Sequence, residues 1–129
     1  MKIILMIACG LLLAAASAVL PVDKIDFFVT ANDLLDMQAV VDNPVLLKTM
    51  TDCFLDRGPC DVVSQSYKAL TPEGISQSCR RCNDAQKHMA NIYQNGLKSK
   101  RPDDYEKFWN KYDPQRIYID SFLKAIKDN

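Results

Sequence analysis

The cysteine register constrains this chain more than any other feature. Of five cysteines, Cys9 lies in an apolar leader, and the rest follow the pattern C-x6-C-x18-C-x2-C at Cys53, Cys60, Cys79 and Cys82. An even set in a short chain bound for an oxidising compartment reads as a disulfide framework. Four cysteines allow three pairings, and the spacing does not choose among them. Cys79 and Cys82 fall within bridging reach on a helical turn. Cys53 and Cys60 flank Gly58-Pro59, a turn signal that can fold the chain back. Both local pairs are therefore open, and loops this small stabilise by less than ~3 kcal/mol each. C-x-x-C is also a thiol redox motif, but that chemistry needs a βαβ context that the pattern lacks. A zinc site would need four converging thiolates, which the first gap suits poorly.

The leader sets the compartment. Lys2 supplies a positive start, Ile3 to Ala16 is almost wholly apolar, and Ala16-Ser17-Ala18 offers the small residues that a signal peptidase reads. The apolar run is short for a bilayer span. Residues 1–18 are expected to be a cleaved signal peptide that takes Cys9 with it, leaving one domain over residues 19–129. The alternative is an uncleaved anchor helix. The expected destination is extracellular, in sensory-organ fluid or another extracellular fluid.

Charge narrows the partners. The chain carries 16 basic and 16 acidic residues, interspersed. That balance gives no electrostatic case for nucleic acid or an anionic membrane surface. A length of 129 residues suits one domain, expected to be a monomer.

Helical periodicity recurs along the chain and clear strand patterns are absent. A first helix is expected over Asp33 to Val41, capped by Asn32. Asn43-Pro44 starts a second, to about Leu55, with Leu46, Leu47, Met50, Cys53 and Phe54 on one side. Asp61 to Leu70 forms a third with Val62, Val63, Tyr67 and Leu70 as its apolar members; Pro72 kinks or restarts it, and Glu73 to Ser78 continues it. Asn83 caps a fourth, to about Leu97, with Ala85, Met89, Ile92, Tyr93 and Gly96 inside and Lys87, Asn91 and Gln94 outside. Pro102 opens a fifth whose stripe is Tyr105, Phe108, Trp109 and Tyr112. Asp113-Pro114 repeats the cap-plus-proline start for a last helix to about Lys127. That helix carries Ile117, Tyr118, Phe122 and Ala125, and a second strip of Ile119, Leu123 and Ile126. The fold class is all-α, with about six helices.

Three ordered motifs sharpen this reading. Leu55-Asp56-Arg57-Gly58-Pro59-Cys60, the Cys79-to-Lys87 run CRRCNDAQK, and Lys111-Tyr112-Asp113-Pro114 join the cysteine register. Together they resemble the insect chemosensory proteins, the A10/OS-D family, over roughly residues 25–126. The chain departs from the family's habits in having Met50 before the first cysteine, Tyr105 where tryptophan is usual, and Phe27-Phe28 in place of a tyrosine-rich start. The resemblance implies a compact bundle around an apolar channel, bridges Cys53–Cys60 and Cys79–Cys82, and reversible binding of fatty acids, long-chain alcohols, esters and other semiochemicals. It implies no cofactor, and a role in chemosensation for some members. A membrane receptor or partner protein remains an open further partner. The alternative role is a secreted developmental or interaction protein acting through the spare strip on the last helix.

The residues themselves add a candidate lining. Methionine suits an adaptable wall, and a tyrosine can pair an apolar ring with a hydroxyl that orients a polar head. The candidates are Leu46, Met50, Val63, Tyr67, Leu70, Met89, Ile92, Tyr93, Trp109 and Tyr112. No enzyme is expected. His88 is the only histidine, and no nucleophile triad, H-E-x-x-H or glycine-rich phosphate loop accompanies it.

Overall fold

A computed structural model of the chain describes residues 24–129. The expected signal peptide, residues 1–18, lies outside the described residues. Six helices and no strand occur among those described: α1 Met37–Asp42, α2 Pro44–Phe54, α3 Val62–Ser76, α4 Asp84–Lys100, α5 Pro102–Tyr112 and α6 Ile119–Ile126. Both local disulfides are formed, Cys53–Cys60 and Cys79–Cys82, each with its α-carbons 4.9 Å apart.

Most helix starts follow local chemistry. The Asn43 side chain accepts from the amides of Val45 and Leu46, with Pro44 at the first helical position. The Asp61 carboxylate accepts from the Ser64 amide. Asn83 and Gln86 form a reciprocal capping box at the head of α4. Pro72 leaves α3 as one continuous helix; the Thr71 hydroxyl donates to the Tyr67 carbonyl at 2.8 Å in the same turn.

Two starts differ from expectation. The first helix begins only at Met37, capped by Asp36, because Asp33 is drawn into tertiary bonds with Asn83 and Gln86, both at 3.0 Å. The last helix begins at Ile119 rather than at Pro114. Asp113 is 1% exposed, and its carboxylate accepts from the amides of Ile117, Tyr118 and Ile119. Burial alone would raise its pKa, but these three amides outweigh it and hold the group charged. Asp113 thus caps α6 from beyond a turn.

The helix α4 lies at the centre, against α1, α5 and α6, while α3 closes the other side against α2, α5 and α6. Gly96 is where α1 meets α4: a β-carbon there would stand 2.7 Å from Val41 Cγ2 and closer still to Cγ1. The Leu55-to-Cys60 motif fastens the end of α2. Asp56 pairs with Lys68 of α3 and Lys111 of α5, and Arg57 grips Asp52 at 2.6 Å and Asp104 at 2.8 Å. An aromatic chain crosses the interior: Phe54 meets Tyr93 with ring centroids 5.3 Å apart, Phe108 meets Trp109 at 5.3 Å, and Trp109 meets Phe122 at 5.8 Å. Among the described residues, no helix is long and apolar enough to cross a membrane.

Candidate functional site

The helices do not close completely on one another. A cavity of about 90 Å³ remains between α1, α3, α4, α5 and α6. Its walls are Met37 of α1; Tyr67, Leu70, Thr71, Gly74 and Ile75 of α3; Met89, Ala90 and Tyr93 of α4; and Phe108 and Phe122 beyond. Phe54 of α2 and Thr30 of the leading segment complete it, and Gln86 and Gln94 are its amides. Cys79 and Cys82 also line it, so the second bridge is part of the wall as well as a clip on a turn. The surface is overwhelmingly apolar, as a site for a hydrophobic ligand requires.

Four of the sequence-derived candidates meet here: Tyr67, Leu70, Met89 and Tyr93. The other six lie elsewhere. Leu46 is 47% exposed, because α2 turns Leu47 and Phe54 inward instead. Met50 and Trp109 are buried core residues behind the wall. Val63, Ile92 and Tyr112 are half-buried and pack against the core. Periodicity finds much of each inward face but also counts Val62, which is 79% exposed at the first turn of α3; only the meeting of helices decides which inward residues border free space.

The tyrosine hydroxyls are already engaged. Tyr67 donates to the Asn32 carbonyl and lies 3.5 Å from Met89 Sδ. Tyr93 shares a 2.8 Å hydrogen bond with the buried Thr51 hydroxyl. Tyr112 donates to the Phe54 carbonyl at 2.7 Å. Burial pushes the Tyr67 and Tyr112 phenols up to about 12 and Tyr93 higher still, so all three stay neutral. They tie elements together, and the expectation that one orients a ligand's head finds its hydroxyls spoken for.

Sequence reasoning misplaces Gln94. It was expected on the outer side of α4, yet it is 5% exposed and its Oε1 accepts from Trp109 Nε1 at 3.1 Å. Polarity suggested a solvent face, and the partner lies on another helix. Met37, Phe108 and Phe122 stand on apolar faces that the periodicity does mark; Thr30 carries no such signal. His88 is exposed. No cluster of three or more His, Cys, Asp or Glu is arranged to hold a metal among the described residues.

The sequence is also similar to known proteins. Residues 28–120 match the model of the insect pheromone-binding family, A10/OS-D. Allergen Tha p 1 of Thaumetopoea pityocampa is 30% identical over 100 residues, 75% of this chain and 79% of that protein. Ejaculatory bulb-specific protein 3 of Drosophila melanogaster is 26% identical over 120 residues, 92% of this chain and 89% of that protein.

Proposed function

The chain belongs to the insect pheromone-binding A10/OS-D family, and from that premise we propose that it is a secreted carrier that reversibly holds small hydrophobic molecules in the cavity between its helices. Fatty acids, long-chain alcohols, esters and other semiochemicals are the ligand classes. The observation that carries the reading is the cavity itself, apolar on nearly every wall and bordered by Met37 and Met89. Cleavage after Ala18 and release to an extracellular fluid complete the proposal. The product is a monomer.

The energetics suit transient carriage. Each methylene taken from water contributes about 0.8 kcal/mol, so ten offer about 8 kcal/mol. Lost freedom and imperfect packing offset part of this, which leaves micromolar affinity as the natural outcome. At about 90 Å³ the empty cavity is smaller than a long alkyl chain needs. The unbranched thioether side chains can swing aside to admit one.

The partner-protein alternative had its basis in the second strip of the last helix. That strip is largely taken up by the core, with Ile126 1% exposed and Ile119 and Leu123 half-buried against it.

Displacement of an apolar fluorescent probe by alcohols of increasing chain length tests the carrier. Affinity rising with each methylene to a plateau supports it; a response flat from the shortest alcohol to the longest contradicts it. The mass of the secreted protein tests the cleavage site.

A further inference from the structure

A groove runs along the outside of α4 where α5 and α6 meet it, about 290 Å³ in volume. Its floor is Tyr105 and Leu123, and its charged groups are Lys98, Lys124 and Lys127. No acidic side chain lines it. None of these three lysines is in an ion pair within the described residues. Lys98 stands 5.7 Å over the Tyr105 ring.

Gln94 borders both this groove and the inner cavity. It is therefore the partition between an apolar interior and a cationic surface. Its orientation follows from chemistry: the indole N–H of Trp109 can only donate, so the amide oxygen faces it and Nε2 is turned elsewhere. Within the described residues Nε2 has no hydrogen-bond partner, although the residue is 5% exposed. A buried donor without an acceptor is costly, and its retention calls for an explanation. The other polar groups of the cavity are satisfied. Gln86 bonds Phe28, Asp33 and Asn83, and Thr71 bonds Tyr67.

We propose that Gln94 is the head-group anchor of the site and that the preferred ligands are amphiphiles bearing a carboxylate. The alkyl tail occupies the apolar cavity, a carboxylate oxygen accepts from Gln94 Nε2, and the three lysines of the groove supply the countercharge. An alcohol of equal length gains the amide bond but not the countercharge. Charge-assisted bonds are roughly twice as strong as neutral ones, so the acid binds more tightly. The inference rests on the carrier reading and goes beyond it by naming the ligand's polar end.

The test is displacement of N-phenyl-1-naphthylamine by dodecanoate and by dodecanol at low salt. Three proteins are compared: the parent, Gln94→Glu, and a triple variant with Lys98, Lys124 and Lys127 each changed to Gln. Gln94→Glu keeps an acceptor for Trp109 while removing both amide hydrogens. The lysines are exposed, so the triple variant leaves the core untouched. Dodecanoate should bind the parent about tenfold or more tightly than dodecanol; the triple lysine variant should lose about that factor for dodecanoate alone, and Gln94→Glu should weaken both ligands, dodecanoate the more because the new carboxylate also repels it. Unchanged dodecanoate affinity in both variants, with the probe still bound, overturns the anchor and leaves the carrier standing. A parent protein that takes up neither probe nor dodecanol removes the carrier reading itself.

Discussion

At the residue scale, the cavity depends on what is small. Ala90 lies on its wall midway along α4. Leucine there would fill much of the about 90 Å³ available, at little cost in helix propensity. Ala90→Leu is expected to weaken probe binding about tenfold or more while the melting temperature holds or rises, since filling a void recovers lost contacts. Parallel titration and melting of this variant check the point. Gln94 illustrates why the site was only partly legible in the sequence. Its polarity, read locally, places it in water, but Trp109 on the next helix turns it inward. Leu46 shows the reverse. Its apolar character suggests a wall, yet the angle of α2 leaves it on the surface. Tyr67, Leu70, Met89 and Tyr93 were legible because they stand on the apolar faces of α3 and α4, the helices that supply most of the cavity wall.

At the scale of elements, helix starts with self-contained caps were readable: Asn43-Pro44, Asp61 and Asn83 each satisfy their own first turn. The starts near Asp33 and Asp113 were misplaced because those carboxylates serve groups farther away. The disulfide partners were not fixed by spacing; the short reach within each pair became definite only once the turns were formed. At Gly96, α1 approaches α4 too closely to leave room for a β-carbon. Val41 is 3% exposed and stiff at its first side-chain torsion, so it cannot turn away from an added methyl. Gly96→Ala is expected to destabilise by about 1–3 kcal/mol from overpacking, reduced by up to about 1 kcal/mol through alanine's better helix propensity. A denaturant midpoint moved below that of the parent verifies it; a raised midpoint would show that α1 can lift away without loss.

At the scale of the whole molecule, carboxylates stitch α2, α3 and α5 together, and this makes stability depend on acid. Hydrogen bonds from Arg57, then from Arg101, hold Asp104 well below the ordinary 3.8, at about 2. Asp56, held by Lys111 and Lys68, is also lowered to about 2. A carboxylate whose folded pKa is depressed binds protons more readily when unfolded, so its contribution is complete above the unfolded value and disappears as pH falls through the folded one. The melting temperature should therefore change little from neutrality down to about pH 4, as far as these groups are concerned, and fall from there towards pH 2. Asp104→Asn should melt lower at neutral pH and lose less on acidification. Melting curves across that range decide it; an equal acid-induced loss in both proteins would remove Asp104 from the account.

The proposed site puts a bound alkyl chain between α1, α3 and α4 rather than on the surface. Methionine methyl groups report this directly, because Met37 and Met89 both border the cavity while Met50 is buried outside it. Nuclear magnetic resonance of methyl-labelled protein titrated with dodecanol should move the Met37 and Met89 signals and show contacts from both to the ligand chain. Unmoved Met37 and Met89 methyls, with shifts confined to exposed residues such as Val45 and Leu46, would contradict it.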